Sequence, residues 1–225
     1  MQVSNILSNI YDIVVTITML YSLFLLFWKK YKKRQRHFYL YITIIFLIDA
    51  VGISIGRKYF GLDQFYLYFP LFIFTISYFA YFFGKDYKDK VNKTILYLLT
   101  FIAFILLFVF QIKNDKLLVI STTTILVVIL YQLILCLQWF WYIVSHADEQ
   151  NIIHKQAFWV SCALLIWSTF ALFRMYPMYD LSKIDSAFLA TIIDVFQVVN
   201  IITYLLYIRG LRCTDYNILR TFNHF

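Results

Sequence analysis

Six positive charges fall between residues 29 and 36, in Trp28-Lys29-Lys30-Tyr31-Lys32-Lys33-Arg34-Gln35-Arg36, and long apolar runs flank them on both sides. Carrying one such charge across hydrocarbon costs roughly 2.5–3.5 kcal/mol or more. The block therefore stays on one side of a membrane while its flanks enter it. Composition agrees: 62% of the 225 residues are hydrophobic and 14% charged, against about 45–50% and about 25% in soluble domains. The solvent for this chain is lipid.

Seven apolar runs are long enough to span, since about 20 residues at 1.5 Å rise cross the hydrocarbon. They lie at 10–28, 38–56, 66–84, 94–112, 117–144, 158–176 and 187–208. The expected fold is an all-α membrane protein, one bundle of seven transmembrane helices, with short connections and no extramembrane domain. Alternate connections hold 14 of the 20 Lys and Arg: residues 29–36, then Lys85, Lys88, Lys90 and Lys93, then Lys155, then Arg209, Arg212 and Arg220. Arg57, Lys58, Lys113, Lys116, Arg174 and Lys183 fall on the other side. The positive-inside rule then puts the N-terminus outside and the tail in the cytoplasm. The first run has no positive stretch ahead of it and no small-residue cleavage site after it, so it reads as an uncleaved anchor. The net charge of +8 comes in clusters between spans, which points to anionic lipid as partner and away from nucleic acid. Cys136 and Cys162 lie inside apolar runs and Cys213 in the tail, so no pair shares a loop where a disulfide could form. Neither a cofactor motif nor Cys/His metal spacing occurs.

The fifth run carries Thr124, Val128, Tyr131, Leu135, Gln138 and Tyr142 at helical spacing, a face that should turn inward. Its hydroxyls and amides serve either interhelical hydrogen bonding or a ligand. The last run carries a polar arc of Asp194, Gln197, Asn200 and Tyr204, within roughly 120° on a wheel of 100° per residue. This arc could line a pocket or proton path, or form a buried network in which Arg174 neutralises Asp194. Asp49 stands about 17 Å from the cytoplasmic end of the second run, and Asp194 about 10 Å from the outer end of the last. Asp49 is either a neutral, hydrogen-bonding acid or a proton-transfer group. Gly52 and Gly56 have the spacing that lets helices approach, within a monomer or across a dimer. Five Gly and two Pro, with Pro70 and Pro177 near span ends, argue against the broken helices of secondary transporters. Asp148 and Glu149, between His146 and His154, read as a helix start extending the sixth span inward. The last run has no Lys for a retinal Schiff base, and there is no His-Glu-x-x-His, Gly-x-Ser-x-Gly or phosphate-cradling Gly loop.

Phe158-Trp159-Val160-Ser161, Leu165-Ile166-Trp167-Ser168, Asn200–Ile208 and Leu211-Arg212-Cys213 resemble the last two spans of small seven-span bacterial proteins. Those proteins accompany sensor histidine kinases, or resemble their membrane part. The resemblance implies signalling with a membrane-bound partner and assigns no residue a role. Asp49 after Ile48 and Asp194 after Ile193 are also similar to the paired intramembrane aspartates of membrane lysoplasmalogenases, where a small residue precedes each acid. The leading expectation is a non-enzymatic inner-membrane sensor or interaction subunit that takes a small or lipid-like ligand, with Tyr131, Gln138, Arg174, Asp194, Gln197, Asn200 and Tyr204 as its ligand-binding or polar core. The alternatives are an intramembrane lipid hydrolase using Asp49 and Asp194, and a proton-coupled carrier.

Overall fold

The computed structural model of the chain describes residues 2–27, 36–48, 64–113, 120–146, 152–180 and 186–213. Among them all regular structure is helical: α1 (Gln2–Phe27), α2 (Phe38–Phe46), α3 (Gln64–Gly84), α4 (Lys90–Ile112), α5 (Thr122–Ser145), α6 (Gln156–Asp180) and α7 (Ser186–Arg212), with a 3-10 turn at Ile152–His154. Hydrocarbon offers the backbone no hydrogen-bonding partner, so a spanning segment must satisfy its own N–H and C=O groups, as a helix does. Six stretches are long and apolar enough to cross a bilayer: Ile6–Phe27, Tyr66–Gly84, Lys90–Ile112, Thr122–Ser145, Gln156–Met175 and Ala190–Arg212. The protein is a multi-pass helical membrane protein.

Several expected boundaries move. α1 starts at Gln2 rather than 10, and α6 runs to Asp180 rather than 176, because a helix once nucleated propagates through moderately polar residues at little cost. Pro177 therefore falls within the helical bounds, as does Pro70, inside α3. α6 itself begins at Gln156, after the 3-10 turn and Lys155; Asp148 and Glu149, expected to start it, lie outside the described residues. The second run appears as α2 followed by a π turn at residues 47–48. Asp49, Gly52 and Gly56 lie outside the described residues. Before α2 the chain turns through Arg36 and His37, both left-handed at φ 43° and 60°, and the His37 carbonyl accepts from the Leu40 N–H at 2.9 Å.

Where the sequence reads as one bundle, the contacts of the chain gather into two compact units, Met1–Thr43 with His146–Phe225, and Ile44–Ser145. In the first unit, α7 packs along α6 and against α1. α1 turns Thr18, Ser22 and Leu25 inward and leaves Ile13, Ile17, Leu20 and Phe24 exposed, the one-sided pattern of a helix facing lipid. The Ser22 and Thr43 hydroxyls meet at 3.0 Å, and Phe38 packs edge-on against Tyr207 with centroids 5.2 Å apart. α6 and α7 approach closely at Gly210, whose carbonyl accepts from Gln156 Nε2 at 3.2 Å.

In the second unit α3, α4 and α5 pack on one another. α4 buries Leu96, Thr100, Ala103, Leu107 and Gln111 at spacings of three and four, and exposes Leu98, Phe101, Ile105 and Phe108. α5 buries Thr124, Val128, Tyr131, Leu135 and Tyr142, with Gln138 half-buried. The face assigned to the interior from spacing alone is the one turned inward.

Candidate functional site

The expected site residues fall on both units, and each set is described within its own. On α7, Asn200 Oδ1 accepts from the Trp167 indole N–H of α6 at 3.1 Å. Tyr204 packs edge-on against Tyr11 of α1 and against Tyr207, with centroids 6.0 Å apart in each case. The arc thus faces both neighbours of α7. About one turn before Asn200, the Gln197 amide oxygen is buried with no hydrogen-bond partner among the described residues. A buried acceptor left unmet costs about 1–3 kcal/mol, so a group reaching it with a donor recovers that amount.

Arg174 does not form the expected ion pair with Asp194: no such pair occurs among the described residues. Its guanidinium carbon instead stands 4.4 Å from the centroid of the Phe196 ring, and Phe196 also packs on Trp167 with centroids 6.3 Å apart. The long Arg stem reaches an aromatic face, where the ring quadrupole attracts the cation. Asp194 is half-buried. α7 and its neighbour α6 therefore carry a cation on a ring, an amide oxygen unmet among the described residues and a half-buried carboxylate.

On α5 the expected residues join helices to one another. Tyr131 donates to the Ile76 carbonyl of α3 at 3.1 Å and meets the Thr100 hydroxyl of α4 at 3.0 Å, while Thr100 also approaches its own Leu96 carbonyl at 2.7 Å. Two hydroxyl hydrogens serve three short contacts in one buried knot. Gln138 Nε2 donates to the Asn92 carbonyl at 3.3 Å, and its oxygen is buried without a partner among the described residues. Tyr142 accepts from the Lys88 N–H at 3.0 Å.

Sequence reasoning passed over the segment between α3 and α4. There the Trp139 indole N–H donates to Asp86 Oδ2 at 2.7 Å. Tyr87 is buried against Tyr142 with centroids 4.8 Å apart. Asp89 caps α4, accepting from the N–H and the side-chain amide of Asn92 at 2.9 and 2.8 Å. The Asp-x-x-Asn spacing at a helix start was the available signal. The partnership of Asp86 with Trp139 has none in local sequence. Burial, with Asp86 nearby, raises the Tyr87 phenol above its ordinary pKa of 10.0.

His146 and His154 are exposed, and among the described residues no three His, Cys, Asp or Glu side chains gather where a metal ion could be held. No known protein family, curated protein or solved structure matches this chain.

Proposed function

We propose that this chain is a seven-span protein of the bacterial inner membrane, N-terminus outside and tail in the cytoplasm, that acts as a non-enzymatic sensor or interaction subunit. A small or lipid-like ligand sits at the α7 arc, and a membrane-bound signalling partner reads its presence. The observation that supports this reading is the buried amide oxygen of Gln197, unmet among the described residues, on the helix that also carries Asn200, held by Trp167, and Phe196, under Arg174. A hydrogen-bond donor on an otherwise apolar ligand would meet that oxygen, and selective pockets are built in this way: mostly apolar, with a few placed polar groups.

The test is thermal unfolding of the purified chain with and without a total lipid extract of the host membrane. The extract should raise the melting temperature. Gln197→Leu, which deletes the unmet oxygen, should melt higher than the parent alone and lose at least half of the extract-induced shift. An undiminished shift in that variant would reduce the arc to packing. Release of a headgroup from lysophosphatidylethanolamine, lost in Asp49→Asn, would replace the sensor reading with the hydrolase.

A further inference from the structure

The connection between α3 and α4 joins the spans Tyr66–Gly84 and Lys90–Ile112. So short a link must lie at the level of the lipid headgroups. The link and the first turn of α4 together carry Lys85, Lys88, Lys90 and Lys93 against Asp86 and Asp89. The two signs are handled differently by the fold. Asp86 is half-buried and engaged by the Trp139 indole at 2.7 Å. Asp89 is half-buried and spent on the N-terminus of α4, where it accepts twice from Asn92. Lys85, Lys88 and Lys90 are exposed and Lys93 half-exposed, and among the described residues none of the four ammonium groups is ion-paired. Lys85 Nζ stands 4.4 Å above the ring of exposed Tyr81.

The backbone that carries these charges is fixed as well. Tyr87 is 1% exposed, and the Lys88 N–H is held by the Tyr142 hydroxyl. The lysines are therefore mounted on a segment stitched to α5 at three successive residues, and little ordering is left to be done when an anion arrives.

We infer that the Lys85–Lys93 connection is a headgroup site for an anionic phospholipid, with Lys88 and Lys90 facing the phosphodiester and Asp86 held aside by Trp139 so that it does not cancel them. The site needs only that α3 and α4 span the membrane. It is independent of any ligand at the α7 arc, and Gln197→Leu should leave it unchanged.

The experiment uses the full chain, delipidated in a neutral detergent and titrated with phosphatidylglycerol or phosphatidylcholine, with bound lipid counted by native mass spectrometry. Phosphatidylglycerol should bind at least tenfold more tightly. Lysines near an anionic surface are each worth about fivefold in affinity, so Lys88→Gln with Lys90→Gln should weaken phosphatidylglycerol about tenfold or more. An equal loss of charge elsewhere, Lys113→Gln with Lys155→Gln, should change it less than twofold. Trp139→Phe keeps every lysine but removes the indole bond to Asp86, and should weaken binding about threefold. Equal losses in the two double variants would show diffuse charge attraction and overturn the site. Displacement of phosphatidylglycerol by millimolar inorganic phosphate would also overturn it, as the mark of a free-anion site. Lys88, Lys90 and Lys113 are exposed and Lys155 half-buried, so the outcome does not depend on the tolerance of the buried Trp139 position.

Discussion

A phenol in a dry place behaves differently according to what its oxygen meets, and two tyrosines of this chain make the contrast. The Tyr87 hydroxyl is buried without a hydrogen-bond partner among the described residues, whereas that of Tyr131 ties three helices. Tyr87→Phe should be neutral or stabilising at pH 7, because it removes a desolvated group that gains nothing. Tyr131→Phe should cost about 1 kcal/mol, the usual worth of an interhelical hydrogen bond in a membrane. Reversible unfolding in mixed micelles reads both. The raised pKa of Tyr87 also gives stability a sign with pH. Below 10 both folded and unfolded phenols are protonated and pH has no effect through this group. Above 10 the unfolded phenol ionises first, so stability falls as pH rises, and Tyr87→Phe should flatten that limb. Because the Arg174 guanidinium stands on the Phe196 ring, additivity is expected: Arg174→Gln and Asp194→Asn should combine within about 0.5 kcal/mol in a double-mutant cycle. Here sequence spacing misled. It placed the two residues near the ends of consecutive spans, but whether a guanidinium reaches a carboxylate or an aromatic face depends on side-chain directions that spacing does not encode.

The helices themselves were far more legible than their partners. The inward face of α5 follows from helical period alone, since residues three and four apart share a side whatever lies opposite. The knot around Tyr131 did not, because its other members, Thr100 and the Ile76 carbonyl, sit on helices whose register against α5 no local pattern fixes. At the α6–α7 crossing the same limit yields a measurable expectation. A Cβ built on Gly210 would stand 3.4 Å from Val160 Cγ2 and 3.6 Å from Trp159 Cβ, which leaves room for a methyl group and little more. Gly210→Ala should hold stability or gain up to about 1 kcal/mol from helix propensity. Gly210→Leu should lose roughly 1–3 kcal/mol by overpacking and separate Gln156 from its carbonyl partner. Thermal melts of the two variants, compared with the parent, test the closeness of that crossing.

For the whole molecule, the excess of Lys and Arg in alternate connections makes orientation the most direct expectation. A reporter active only after export should stay silent when fused after Phe225, and activity there would invert the proposed topology. The division into two units was not visible in the sequence, because apolar periodicity says which residues avoid water and not which helix finds which. That division has a consequence for how the protein is made. One unit is a single uninterrupted stretch, while the other is split, its opening helix packed against its closing one with the whole of the second unit synthesised between them. At roughly 5–20 residues per second, α1 leaves the ribosome and waits on the order of ten seconds for α7. Throughout that interval the inward side of α1 has α2 beside it, through Ser22 and Thr43, but not α7, which makes the nascent chain a client for whatever shelters incompletely packed helices at the translocon, and a target for quality-control proteolysis if translation stalls before α7 emerges.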